Sequence, residues 1–117
     1  IVYYVNYLKY MERARTEFLR YLGVDHAEML RQGAMFVIHS ADVKYRQPAC
    51  LDDELEVSVV IEQIKRTYVC FQQSVYCTER LLAQASIKGV CVIKKSMKPC
   101  SIPPQILGAL QAYKGES

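Results

Sequence analysis

The chain has 117 residues, 51% hydrophobic and 23% charged, which suits one core over residues 1–117 and excludes a disordered or low-complexity chain. Its net charge of +3 is spread, with Lys and Arg interspersed among Glu and Asp, a pattern that argues against nucleic-acid binding. No run approaches the roughly 18 apolar residues of a membrane span and no signal-peptide pattern opens the chain, so a cytoplasmic protein is expected.

From Asn6 to Leu22 the residues Tyr7, Leu8, Met11, Ala14, Phe18, Leu19 and Leu22 recur at helical spacing, with charged residues between them. Asn6 can cap the first turn of this helix, and Gly23 can close it in the left-handed conformation. Asp25 with Glu28 reads as a capping-box variant opening a short helix from about His26 to Gln32, stopped by Gly33.

The period then changes from helical to alternating. Met35–Tyr45 is the first of four predicted strands. In the second, Leu55, Val57, Val59 and Ile61 alternate with Glu54, Glu56, Ser58 and Glu62, which implies one buried and one wet face. A turn at Lys65-Arg66-Thr67 leads into Tyr68–Thr78, where Val69, Phe71, Val75 and Cys77 share a side; Glu79-Arg80 turns into Leu81–Lys95. Such short links make an antiparallel meander. Pro99, Pro103 and Pro104 end the sheet, and Ile106, Leu107, Leu110 and Tyr113 mark a C-terminal helix. The whole reads as an α+β domain, a curved antiparallel sheet wrapped around one long helix.

Residue chemistry alone is sparse. The chain holds no Gly-rich phosphate loop, no metal-ligand doublets and no nucleophile elbow. His26 and His39 are isolated, and Asp52-Asp53 reads as a turn. The five cysteines are odd in number and lack C-x-x-C spacing, so they read as small buried hydrophobes in a reducing compartment.

Three segments carry more. The opening Ile1-Val2-Tyr3-Tyr4-Val5-Asn6-Tyr7, the helix Glu12-Arg13-Ala14-Arg15-Thr16-Glu17 and the corner Pro48-Ala49 through Leu51-Asp52-Asp53-Glu54-Leu55-Glu56 closely resemble hotdog-fold acyl-CoA thioesterases. The likeness is to the tol-pal-associated branch and its 4-hydroxybenzoyl-CoA relatives. It extends to Lys98-Pro99 and covers nearly the whole chain.

The resemblance implies a hotdog fold whose N-terminal strand lies ahead of Ile1. It implies a homodimer or homotetramer acting on acyl-CoA, with no cofactor beyond the CoA of the substrate and no metal. The attacking or water-activating aspartate of such enzymes would also lie ahead of Ile1, and the backbone N–H of Tyr4 would polarise the thioester oxygen. Many members carry His where this chain has Tyr4. Tyr3, Asn6, Tyr7 and Met11 are then candidates to line the acyl site, with Val37 beside them. Lys65, Arg66, Thr67 and Lys98, together with Lys94 and Lys95, are candidates to hold the CoA phosphates. The other readings are a non-catalytic acyl-thioester-binding hotdog protein and a hotdog dehydratase, the latter poorly served by the placement of the two histidines.

Overall fold

The structure is a computed structural model that describes residues 4–47 and 54–116, with side chains described over 7–47 and 54–114. Tyr3, the Pro48–Asp53 corner with Cys50, and the side chains of Tyr4 and Asn6 lie outside that description.

Helix α1 runs Tyr4–Tyr21. It starts two residues before the expected cap, so Asn6 is a helical residue of the first turn. The residues ahead of it, Tyr4 and Val5, include no helix breaker, so the helix extends through them. Its end is as expected: Gly23 has φ +86°, its N–H donates to Arg20 O at 3.0 Å and Val24 N–H to Leu19 O at 2.9 Å. These two bonds are the Schellman pair, and Val24 is buried beyond them.

Helix α2 is His26–Arg31. Asp25 Oδ1 accepts from Glu28 N–H at 3.2 Å. The capping box is only half made. The Glu28 carboxylate bonds forward to Arg31 and Gln32, and the Arg31 guanidinium holds it below the usual carboxylate range. Gly33, at φ +83°, turns the chain into the sheet.

Four strands follow: β1 Ala34–Tyr45, β2 Glu56–Ile64, β3 Tyr68–Cys77 and β4 Arg80–Ile93. Every pairing is antiparallel, and the sheet order is β1-β4-β3-β2. The meander therefore covers only β2-β3-β4. β1 and β2 stand at opposite edges of the sheet, and β1 pairs with the last strand, Ala34 opposite Ile93 and Tyr45 opposite Ala83. Burial makes this arrangement stable, because β4, the strand with the most buried residues, gains a partner on each side.

On β4, Ala83, Ala85, Ile87, Gly89 and Cys91 face the core while Gln84 and Ser86 face outward. The middle of the outer face is polar, with Gln72 Nε2 donating to Ser86 Oγ at 2.8 Å and Lys88 Nζ 4.1 Å from the centre of the Tyr68 ring. Against the inner face α1 sets Tyr7, Met11 and Leu19, packed on Val69, Phe71, Val75 and Ile61 of β3 and β2. Pro99 does not end the sheet outright, since it bridges to Val92. Helix α3, Pro104–Glu116, closes the core with fully buried Leu110, and Tyr113 meets Phe18 edge to face at 5.0 Å. No helix among the described residues is long and apolar enough to cross a membrane.

Candidate active site

The first turn of any helix leaves backbone N–H groups without intrahelical acceptors. In α1 these begin at Tyr4, and no acidic residue stands in that turn to neutralise the positive end. One turn in, Tyr7 is fully buried. Its hydroxyl donates to the Gln47 carbonyl at 3.0 Å, and its ring stacks on Tyr45 with centroids 5.9 Å apart and planes 27° apart. Gln47 N–H in turn donates to Leu82 O at 3.1 Å. The helix start is thereby fixed against the end of β1 and the beginning of β4.

Farther along α1, a polar device crosses the core. Gln73 on β3 is 1% exposed and sits on the face expected to be apolar. Its Nε2 donates to Met11 O at 2.9 Å, and its Oε1 accepts from Arg15 Nη1 at 2.6 Å. Burial holds the Arg15 guanidinium below its ordinary value, with Glu12 opposing that shift. The sequence signal was present but quiet: Gln73 falls midway between Phe71 and Val75 in the two-residue period.

Arg15 lines a cavity of about 310 Å³ between the second half of α1 and the sheet, with Thr16, Phe36, Ile38, Phe71 and His26 around it. Tyr7 and Met11 are core residues outside this lining. Val37, expected to line such a space, falls on the other face of β1 because Phe36 and Ile38 take the inner one. His39 is exposed on β1. Among the described residues no cluster of three or more His, Cys, Asp or Glu side chains is placed to hold a metal ion.

The basic candidates gather elsewhere. Lys65 and Arg66 are exposed in the β2–β3 turn, and half-buried Thr67 gives its carbonyl to Cys91 N–H at 2.8 Å. Exposed Lys98 gives its carbonyl to Ile93 N–H at 2.8 Å. Both positions adjoin the end of β4, whereas Tyr7 and Gln47 adjoin its start at Leu82. Cys91 lies nine residue steps beyond Leu82 along the strand, about 30 Å. One chain thus places the helix start and the cation cluster at opposite ends of the sheet.

Comparison with known proteins agrees with this architecture. The thioesterase-like superfamily profile matches residues 1–110. The chain is 35% identical over 108 residues to the acyl-CoA thioester hydrolase YbgC of Escherichia coli, covering 92% of this chain and 81% of that one. It is 32% identical over 115 residues to the acyl-CoA thioesterase YbgC of Haemophilus influenzae, covering 97% and 85%. A crystal structure of a hypothetical protein from Aquifex aeolicus superposes with TM-score 0.84 at 34% identity, covering 94% of this chain and 86% of that one. The long helix against a four-stranded antiparallel sheet is the hotdog fold, and the chain belongs to the thioesterase-like superfamily.

Proposed function

We propose that this protein is a thioesterase that hydrolyses acyl-CoA to a carboxylic acid and CoA, without a further cofactor. The observation that carries the reading is the helix start at Tyr4, unneutralised in its first turn and fastened through Tyr7 to Tyr45 and Gln47, in a chain similar to acyl-CoA thioesterases. In this reading a carboxylate ahead of Ile1 attacks the thioester carbonyl or takes a proton from the attacking water. The Tyr4 backbone N–H donates to the oxygen as negative charge develops on it. The CoA thiolate is a good leaving group and leaves with little acid assistance. Tyr4 acts through its position, so the absence of an imidazole there does not remove the step. Asn6, within that turn, and Tyr3, just ahead of it in the sequence, are assigned to acyl contacts.

Lys65, Arg66, Thr67 and Lys98 are assigned to the phosphates of CoA, and their distance from Tyr4 within one chain gives the reading its quaternary form. The outer edge of β1 has no partner among the described strands. A second copy adding to that edge antiparallel lays the Ala34 end of one strand against the Tyr45 end of the other. The cation cluster of one copy then approaches the helix start of its partner. A homodimer is therefore part of the proposal, and a cytoplasmic location fits a soluble CoA substrate.

The test is thiol release from short, long and aromatic acyl-CoAs by the protein with its preceding segment, beside the same protein with the expected Asp changed to Asn. Hydrolysis of one class, reduced by orders of magnitude in the Asn form, is expected. Acyl-CoA binding with no turnover in either form would replace the enzyme by a thioester-binding protein.

A further inference from the structure

Cys91 stands near the end of β4 and Cys100 on the connector to α3. The antiparallel bridge between Val92 and Pro99 sets these two segments in register, so the cysteines face each other across it. Cys100 N–H donates to Cys91 O at 2.9 Å, and the two Sγ atoms are 3.7 Å apart. A backbone pairing that holds two thiols at this separation leaves only a small side-chain movement between dithiol and disulfide.

The two thiols are unequal. Cys91 is fully buried, with its Sγ 3.8 Å from Ser101 O. Cys100 is half-buried and lines a cleft of about 620 Å³ between α2 and the connector. Arg31, Lys94 and Lys95 line the same cleft, and no acidic residue does. Arg31 is engaged by Glu28, whereas Lys94 and Lys95 are exposed and form no ion pair among the described residues. The way to Cys100 is therefore electropositive, and a negatively charged reagent is drawn along it.

We propose that Cys91 and Cys100 form a modification site for an anionic small-molecule disulfide of the glutathione type, Cys100 being the entry thiol and Cys91 the resolving thiol. In the first step Cys100 gives its proton to solvent and its thiolate attacks one sulfur of the reagent. The reagent's S–S bond breaks, and one glutathione leaves as a thiolate that takes up a proton. In the second step Cys91, after losing its own proton to solvent, attacks Cys100 Sγ and expels the second glutathione in the same way. Two protein thiols are oxidised to one disulfide while one glutathione disulfide is reduced to two thiols. Burial is the larger cause that raises the Cys91 thiol above its ordinary value, and it persists once Cys100 is capped, so the second step is the slower one. The product closes residues 91–100 into a ring and pins the connector of α3 to β4.

The experiment uses the whole reduced chain, glutathione disulfide and intact-mass spectrometry with peptide mapping. Wild type should lose two hydrogens, and trypsin cutting after Lys94 and Lys95 should leave the Cys91 and Cys100 peptides joined until a reductant is added. C91S should stop at a single glutathionyl group on Cys100. K94E/K95E should slow the reaction about fivefold with glutathione disulfide while leaving it unchanged with uncharged hydroxyethyl disulfide. Modification of Cys100 no faster than of Cys70 and Cys77, or a wild-type adduct that never closes, would overturn the proposal. The wild-type map decides this even where C91S fails to fold.

Discussion

Gln73 on β3 and Met11 on α1 are joined by a 2.9 Å hydrogen bond from a side-chain amide to a mid-helix carbonyl, and the same amide accepts from Arg15. One residue that is 1% exposed thus fastens the long helix to the sheet and holds a cation at the cavity wall. A buried amide is retained at low cost only while both of its ends are satisfied, as they are here.

Replacing Gln73 with Met keeps the volume and removes both bonds, leaving the Arg15 guanidinium half-buried without its partner. A loss of about 2 kcal/mol is expected. Urea denaturation should show it as a lower midpoint with an unchanged slope.

Tyr7→Phe preserves the stack on Tyr45 and deletes the hydroxyl that donates to Gln47. The cost should be about 1 kcal/mol. Hydrogen exchange of the Gln47 amide, which bonds to Leu82 O, should rise with it, because the segment after β1 loses its tie to α1.

Leu110→Ala tests whether α3 belongs to the core. Leu110 is fully buried, so a loss of 2–5 kcal/mol is expected, as for other large-to-small core changes. A loss below about 1 kcal/mol would show that α3 is an appendage that the rest of the fold does not need.

Lys65→Glu with Arg66→Glu bears on the CoA assignment. If these cations hold phosphates, KM for an acyl-CoA should rise severalfold at low salt, and the effect should shrink as salt screens it. The same acyl group on a short thiol lacking phosphates should be hydrolysed as before. Equal losses on both substrates would contradict the assignment.

The Cys91 thiol supplies a pH signature. Its folded value of about 12 lies above the ordinary 9.0, so the folded state keeps a proton that the unfolded chain releases. The associated stability is present below about pH 9 and is lost as pH climbs toward 12. Between pH 8 and pH 10 wild type should lose about 1 kcal/mol more than Cys91→Ala does. Urea midpoints of the two proteins at both pH values measure the difference.

Much of this was legible in local chemistry. Gly23, Gly33 and Asp25 act over three to five residues, and each ends or starts its element as its residue type dictates. The alternation of β3 and the apolar stripe of α1 likewise report which side is buried. The element order already implied a curved antiparallel sheet wrapped around the long helix, and the resemblance identified that arrangement as a hotdog fold. Other relations did not show because they are long-range. Nothing near Met35–Tyr45 says that its partner is β4 rather than β2, since that choice depends on which strand ends up covered on both edges. The partners of Gln73, Met11 O and Arg15, lie 62 and 58 residues away along the chain, so no local pattern marks the residue as a buried link. The separation of Lys65 and Lys98 from Tyr4 follows from strand direction, which spacing along the chain does not reveal.

The order β1-β4-β3-β2 also shapes how the chain is born. Tyr45 waits for Ala83 and Ala34 waits for Ile93, so β1 leaves the ribosome long before the strand that covers it exists. At about 5–20 residues per second that interval is roughly 2 to 12 s, during which Phe36 and Ile38 stand uncovered on a nascent polypeptide. Synthesis pausing just after β3 would lengthen this exposure, and a holding chaperone would find its target in β1.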